Sequence, residues 1–177
     1  MTRDDASHAA LSDAEELGHE ARAGRGDHAM LRLWLRMLAS TTQIEGEIRR
    51  RLRARFGISL ARFDYMAQLY RHRDGLKMRV LSRYLMVTGG NVTGLTDELE
   101  REGVVLRTAS PEDRRAWIVS LTPKGVSAFE AMASEHEQWI LEMFSGLDMK
   151  TVRLMHSQLG ALRVHVMRGE PAGEEGG

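Results

Sequence analysis

Three clusters in this chain have residue types and spacing that could do chemistry. The first is "VTGGNVTG", where Thr88, Gly89, Gly90, Asn91, Thr93 and Gly94 open a segment whose continuation, "LTDELER", has helical spacing. Each glycine costs roughly 1 kcal/mol against alanine inside a helix. A helix start that lacks side chains lets its backbone approach another surface closely, and free N–H groups there attract phosphate. Thr88 reads as the N-cap, with Asn91 and Thr93 as polar groups able to meet base edges. The plainer alternative makes Gly89-Gly90 a loop and starts the helix at Asn91. The second cluster, Asp113-Arg114-Arg115, offers two guanidiniums beside a carboxylate. The third is the run Arg49, Arg50, Arg51, Arg53 and Arg55, which could face a nucleic-acid phosphate, a ligand phosphate or water, with a solvated face the plainest reading.

Catalytic chemistry finds little support. The chain of 177 residues has no cysteine, which removes disulfides and thiolate sites. "SEHEQW" offers His136 and Glu137 but lacks the second histidine of a zinc motif. There is no Gly-rich phosphate loop and no nucleophile elbow. The reading is therefore no enzyme, no catalytic residues, no metal and no cofactor. No apolar run approaches the ~18 residues of a membrane span, and the acidic N-terminus does not resemble a signal peptide, so a cytoplasmic location is expected.

The net charge of zero conceals a segregated distribution. Residues 1–27 hold three arginines against seven acids, a net −4, and residues 168–177 hold one arginine against three glutamates, a net −2. The body between them carries +6, which favours a polyanionic partner, because local charge steers association. Residues 1–27 and 168–177 read as flexible acidic extensions.

Periodicity supplies the elements that must position these clusters. Apolar residues from Met30 to Phe56 recur at helical spacing and stop at Gly57. Ser59 reads as the N-cap of a helix with Leu60, Phe63, Ala67 and Tyr70 on one face, ending at Asp74-Gly75. "MRVLSRYLM" makes a short helix before the glycine-rich segment. Beyond Gly103 the period falls to two: "VVLRT" and "AWIVSL" flank the turn formers of "ASPEDRR", a β-hairpin with a charged tip. Thr122-Pro123 reads as an N-cap and first helical position of a long helix. After Asp148, Val152, Met155, Leu159, Leu162 and Val166 form a 3-4-3-4 seam suited to packing against a second copy of the chain.

A helix of about 13 residues, a short helix, a second helix and a hairpin make a winged helix-turn-helix, whose second helix enters the major groove of DNA. The expected fold is mainly α with a small β-hairpin wing. Residues 58–125 would form the DNA-binding lobe, and 28–57 with 126–167 the helical dimerisation region.

The stretch "VTGGNVTGLTDELEREGVV" resembles the recognition helix of the MarR (multiple antibiotic resistance regulator) family. "DRRAWIVSLTPKG" is similar to that family's D-x-R-x-x-x-V-x-L-T-x-x-G signature through Asp113, Arg115, Val119, Leu121, Thr122 and Gly125. The resemblance spans roughly residues 30–167. Lys77 departs from it, standing where many members have Ser or Thr, and the acidic extension lies outside it. The resemblance implies a homodimer built from the first and last helices, with DNA contacts at Thr88, Gly89, Gly90, Asn91 and Thr93 and at the wing residues Asp113, Arg114 and Arg115. The wing arginines would enter the minor groove, whose narrow form attracts arginine.

It further implies a repressor released from a palindromic operator by a small aromatic or anionic effector. An aromatic carboxylate would suit Trp34, Arg36, Met37, Phe63, Met66 and Tyr70, since a guanidinium grips a carboxylate bidentately; for an aromatic coenzyme A thioester, the arginine run would suit the nucleotide phosphates. Core packing is the alternative role for Trp34 and Phe63. The competing function is an architectural or constitutive DNA binder with no effector.

Overall fold

The computed structural model describes residues 28–85, 89–111 and 116–168, with only the backbone described at Gly89, Gly90 and Asn91. The sequence divides into two compact units, Met1–His136 and Glu137–Gly177.

Among the described residues, nine elements follow in order: α1 (Ala29–Phe56), α2 (Leu60–Arg71), β1 (Leu76–Lys77), α3 (Met78–Leu85), α4 (Gly89–Arg101), β2 (Val105–Ala109), β3 (Trp117–Leu121), α5 (Pro123–Phe144) and α6 (Met149–Arg168). The expected stop and start signals act as read. Gly57 closes α1 in the left-handed region at φ 69°, its N–H donating to Arg53 O. Ser59 Oγ accepts from Arg62 N to cap α2, and Thr122 Oγ1 accepts from Gly125 N at 3.0 Å to cap α5. Asp148 accepts from Thr151 N at the start of α6.

The wing is larger than the hairpin that the sequence indicates. β1 adds a third strand, giving the antiparallel order β1-β3-β2 with Leu76 opposite Val119 and Lys77 opposite Ile118. Two residues are too few to show a period, so this strand is invisible until β3 pairs with it. Gly75 leads into it at φ +87°, where a Cβ would stand 2.7 Å from Val119 O, a position only glycine fits.

The first unit's core gathers Leu52 of α1, Tyr65, Met66 and Leu69 of α2, Leu81 of α3, Val92 and Leu99 of α4, and Val105 and Val119 of the sheet, all almost inaccessible. α2 buries a wider stripe than the single face expected for it, because Tyr65 and Leu69 are enclosed along with Phe63 and Met66. Of the 28 residues of α1, only Ile48 and Leu52 are buried. Its N-terminal half leaves Met30, Leu31, Leu33, Trp34 and Leu38 exposed.

The second unit holds the end of α5 and all of α6. α6 has no buried residue, and Leu154, Met155, Leu159, Leu162, Val164, Val166 and Met167 stand open to solvent. Among the described residues, no helix is long and apolar enough to cross a membrane.

Candidate nucleic-acid interface

α4 begins at Gly89, so both glycines belong to the helix rather than to a loop before it. Val92, Thr96 and Leu99 turn inward at spacings of four and three, and fix which side of α4 faces the core. Thr96 is a polar residue at a fully enclosed position. Its Oγ1 lies 2.6 Å from Tyr65 Oη and donates to Val92 O at 2.6 Å. Burial pushes the Tyr65 hydroxyl up to about 12, and the bond to Thr96 opposes part of that rise.

Charge is sorted along the same helix. The N-terminal half of α4 carries no ionisable side chain, and its acids begin at Asp97. Two half-sheltered arginines hold those acids. Arg62 of α2 pairs with Glu98 at 3.2 Å and with Glu102, holding the Glu102 carboxyl below its ordinary range. Arg107 of β2 pairs with Asp97 and, at 3.4 Å, with Glu100. The negative half of α4 is thus neutralised from both sides, and the uncharged half is left to meet a polyanion. Thr93 is exposed on that half. Thr88, Asp113, Arg114 and Arg115 lie outside the described residues.

Two cations that the sequence reading passed over belong to this surface. Arg79 and Arg83 are exposed on α3 one turn apart, and α3 carries no acid. Their i, i+4 spacing in the sequence is the signal that marks them. In a helix-turn-helix the helix before the recognition helix runs over the phosphate backbone, and α3 presents charges suited to that.

The arginine run on α1 is largely paired within its own helix. Arg49 bonds Glu45 at 2.9 Å, while Arg50 and Arg51 converge on Glu47 at 2.6 Å, drawing that carboxyl down to about 2. Arg49, Arg50 and Arg53 nonetheless line an open cleft of about 830 Å³ that reaches Asp64 of α2 and Gly94 and Leu95 of α4. Burial raises the Asp64 carboxyl, and neighbouring Glu45 adds to the rise.

The six residues expected to hold an effector do not converge in the protomer. Met66 is 1% exposed and Phe63 is enclosed, its ring packed on Phe129 and His136 at 5.4 and 5.0 Å. Tyr70 packs on Phe129 and donates to Glu130 at 2.8 Å. Trp34 is 55% exposed and precedes Ile48, the first buried residue of α1, by about 21 Å of helix at 1.5 Å per residue. Arg36 and Met37 share that outlying segment. Helical spacing put the aromatics on compatible faces without revealing that only the C-terminal half of α1 packs on the lobe. His136 packs on Phe63, and burial lowers its pKa. Among the described residues, no three metal-ligating side chains cluster.

A recognition helix buried on one side, cleared of free negative charge and braced against a three-stranded wing defines a winged helix-turn-helix protein. The MarR family pattern matches residues 58–117. A MarR family transcriptional regulator from Silicibacter pomeroyi, known from its crystal structure, is 32% identical, with a TM-score of 0.65 over 84% of this chain and 100% of that one. The HTH-type transcriptional regulator YdgJ of Bacillus subtilis is 30% identical over 110 residues, 62% of this chain and 66% of its own length. Streptococcus pneumoniae FabT, solved in complex with DNA, shares the fold at a TM-score of 0.66 with 23% identity, over 80% of this chain and 99% of that one. The chain belongs to the MarR family, whose members are transcriptional regulators rather than enzymes.

Proposed function

We propose that the protein is a sequence-specific repressor that binds a palindromic operator as a homodimer and leaves it when a small anionic effector binds. The observation that carries the DNA reading is the charge sorting of α4. Every acid of its C-terminal half, Asp97, Glu98 and Glu100, is engaged by Arg62 or Arg107, and the half that a major groove would receive is uncharged. The glycines Gly89 and Gly90, with Thr88, Asn91 and Thr93, meet the groove, and Arg114 and Arg115 beside Asp113 enter the adjacent minor groove.

The dimer reading is supported by the apolar residues left open on α1 and α6, more than a soluble monomer usually exposes. Two chains about a two-fold axis would cover them and set two α4 helices on half-sites one DNA turn apart.

The effector reading rests on the cleft that Arg49, Arg50 and Arg53 share with Gly94 and Leu95. A ligand with a carboxylate or phosphate for the guanidiniums and an apolar body for Leu95 would press on α4 directly. An aromatic carboxylate, free or as its coenzyme A thioester, has that form.

Selection of duplexes from a random-sequence pool tests the proposal. Enrichment of an inverted repeat, released by a member of an aromatic carboxylate panel, is expected. Binding without enrichment would favour an architectural DNA binder.

A further inference from the structure

Trp117 is 49% exposed at the outer end of β3. Alternation gives it a definite side. Trp117, Val119 and Leu121 share one face of the sheet, opposite Ala109, Arg107 and Val105 of β2. That face is the one turned to α4: Val105 and Val119 are closed into the core, and Arg107 reaches Asp97 and Glu100.

The chain reverses at Gly103, φ 68°, so β2 runs back beside α4 from its C-terminal end. The Ala109–Trp117 pair stands two residues beyond Arg107, about 7 Å along the strand, which corresponds to more than four residues of helix rise. Arg107 is tied to Asp97 and Glu100 in the C-terminal half of α4, so the Ala109–Trp117 pair lies further along the strand, in the direction of the uncharged N-terminal half. Its cross-strand neighbour Ala109 has only a methyl group, and about half of the Trp117 side chain stays open.

We propose that Trp117 contacts the DNA backbone, packing its ring on a deoxyribose and donating its indole N–H to a phosphate oxygen. This rests on the docking mode proposed above. With α4 in the major groove and the wing over the adjacent minor groove, the strand separating the grooves passes between them. Trp117 stands on the wing side of that passage. An indole matches a sugar-phosphate strand, having an apolar face for the sugar and one donor, without acceptors, for the phosphate. Such a contact fixes the register of the protein on the duplex and reads no sequence.

Because the contact is independent of sequence, the probe is a labelled mixed-sequence duplex of about 30 base pairs, room for two half-sites one turn apart, at low salt where phosphate contacts suffice. Anisotropy of the duplex reports binding. Acrylamide quenching of the full-length protein, as the difference between wild type and Trp117→Phe, reports the accessibility of Trp117, and circular dichroism confirms that the variant folds. The duplex is expected to shield Trp117 severalfold. Trp117→Ala should weaken binding about tenfold through loss of one hydrogen bond and its packing, with the salt dependence unchanged because no charge is removed. A duplex bound while Trp117 stays as accessible as in the free protein would overturn the contact and leave the DNA reading standing. Shielding that follows protein concentration without DNA would place Trp117 in a protein interface and also overturn it. No duplex binding at low salt would overturn both readings.

Discussion

The hydroxyl groups of Tyr65 and Thr96 lie 2.6 Å apart in the core of the lobe, and Thr96 is bonded in turn to the Val92 carbonyl one turn back in α4. This short polar chain ties α2 to the recognition helix and specifies its rotation, since turning α4 by one residue would put either Leu95, which cannot bond Tyr65, or the charge of Asp97 at this enclosed position. Tyr65→Phe leaves Thr96 its backbone partner and should cost about 1 kcal/mol in urea unfolding. Thr96→Val strands the buried phenol and should cost about 1–3 kcal/mol. Equal effects from the two substitutions would show that the bond does not organise the core.

The same tyrosine predicts an alkaline instability. An unfolded tyrosine ionises near pH 10, whereas burial holds Tyr65 protonated up to about 12. The folded state therefore keeps a proton that the unfolded chain loses. Stability from this group is complete below pH 10 and declines as pH rises from about 10 to 12. Tyr65→Phe should flatten that part of the unfolding profile. A wild-type profile with the same slope as the variant over the window would contradict the assignment.

Gly125 tests the junction of the wing and α5. A Cβ there would stand 2.1 Å from the Val104 carbonyl oxygen, which also accepts from Thr122 N at 3.0 Å. A backbone atom so held does not yield easily, so Gly125→Ala should destabilise the lobe by about 1–3 kcal/mol, the usual range for overpacking. A thermal midpoint equal to wild type would mean that the start of α5 moves freely.

Gly94 and Gly90 separate folding from DNA contact. A Cβ at Gly94 would meet nothing within 4 Å, so Gly94→Ala should stabilise the free protein by up to about 1 kcal/mol. Gly90→Leu should abolish specific binding while circular dichroism shows a folded protein. Unchanged operator affinity in a folded Gly90→Leu protein would mean that this turn faces away from DNA.

The wing arginines give a prediction in salt. Arg115→Ala should weaken operator binding and reduce the slope of log affinity against log salt by about 0.9, the share of one phosphate contact. Arg114→Ala should act similarly. Binding curves that superimpose on wild type across a salt series would remove these arginines from the interface.

How much was legible in the sequence followed from the range of the interaction. Gly57, Ser59 and Thr122-Pro123 act through bonds within a turn, so their residue types alone placed the helix ends. Tyr65 and Thr96 are 31 positions apart, and Arg62 meets Glu98 and Glu102 across 36 and 40. Nothing local distinguishes those side chains from solvated ones. The strand Leu76–Lys77 exists only because β3 pairs with it. The spread of the expected effector residues over the protomer has a related reason. Periodicity gives the face of each residue on α1 but not the stretch of the helix that packs, and Trp34 falls outside that stretch.

The proposed function requires two copies of α4 to read one duplex together. Hydroxyl-radical footprinting of a selected operator tests it most directly. Two protected patches about 10 base pairs apart are predicted, both lost together in Leu159→Asp/Leu162→Asp, a variant expected to sediment as a monomer. A single patch, or a full footprint from the monomeric variant, would contradict it.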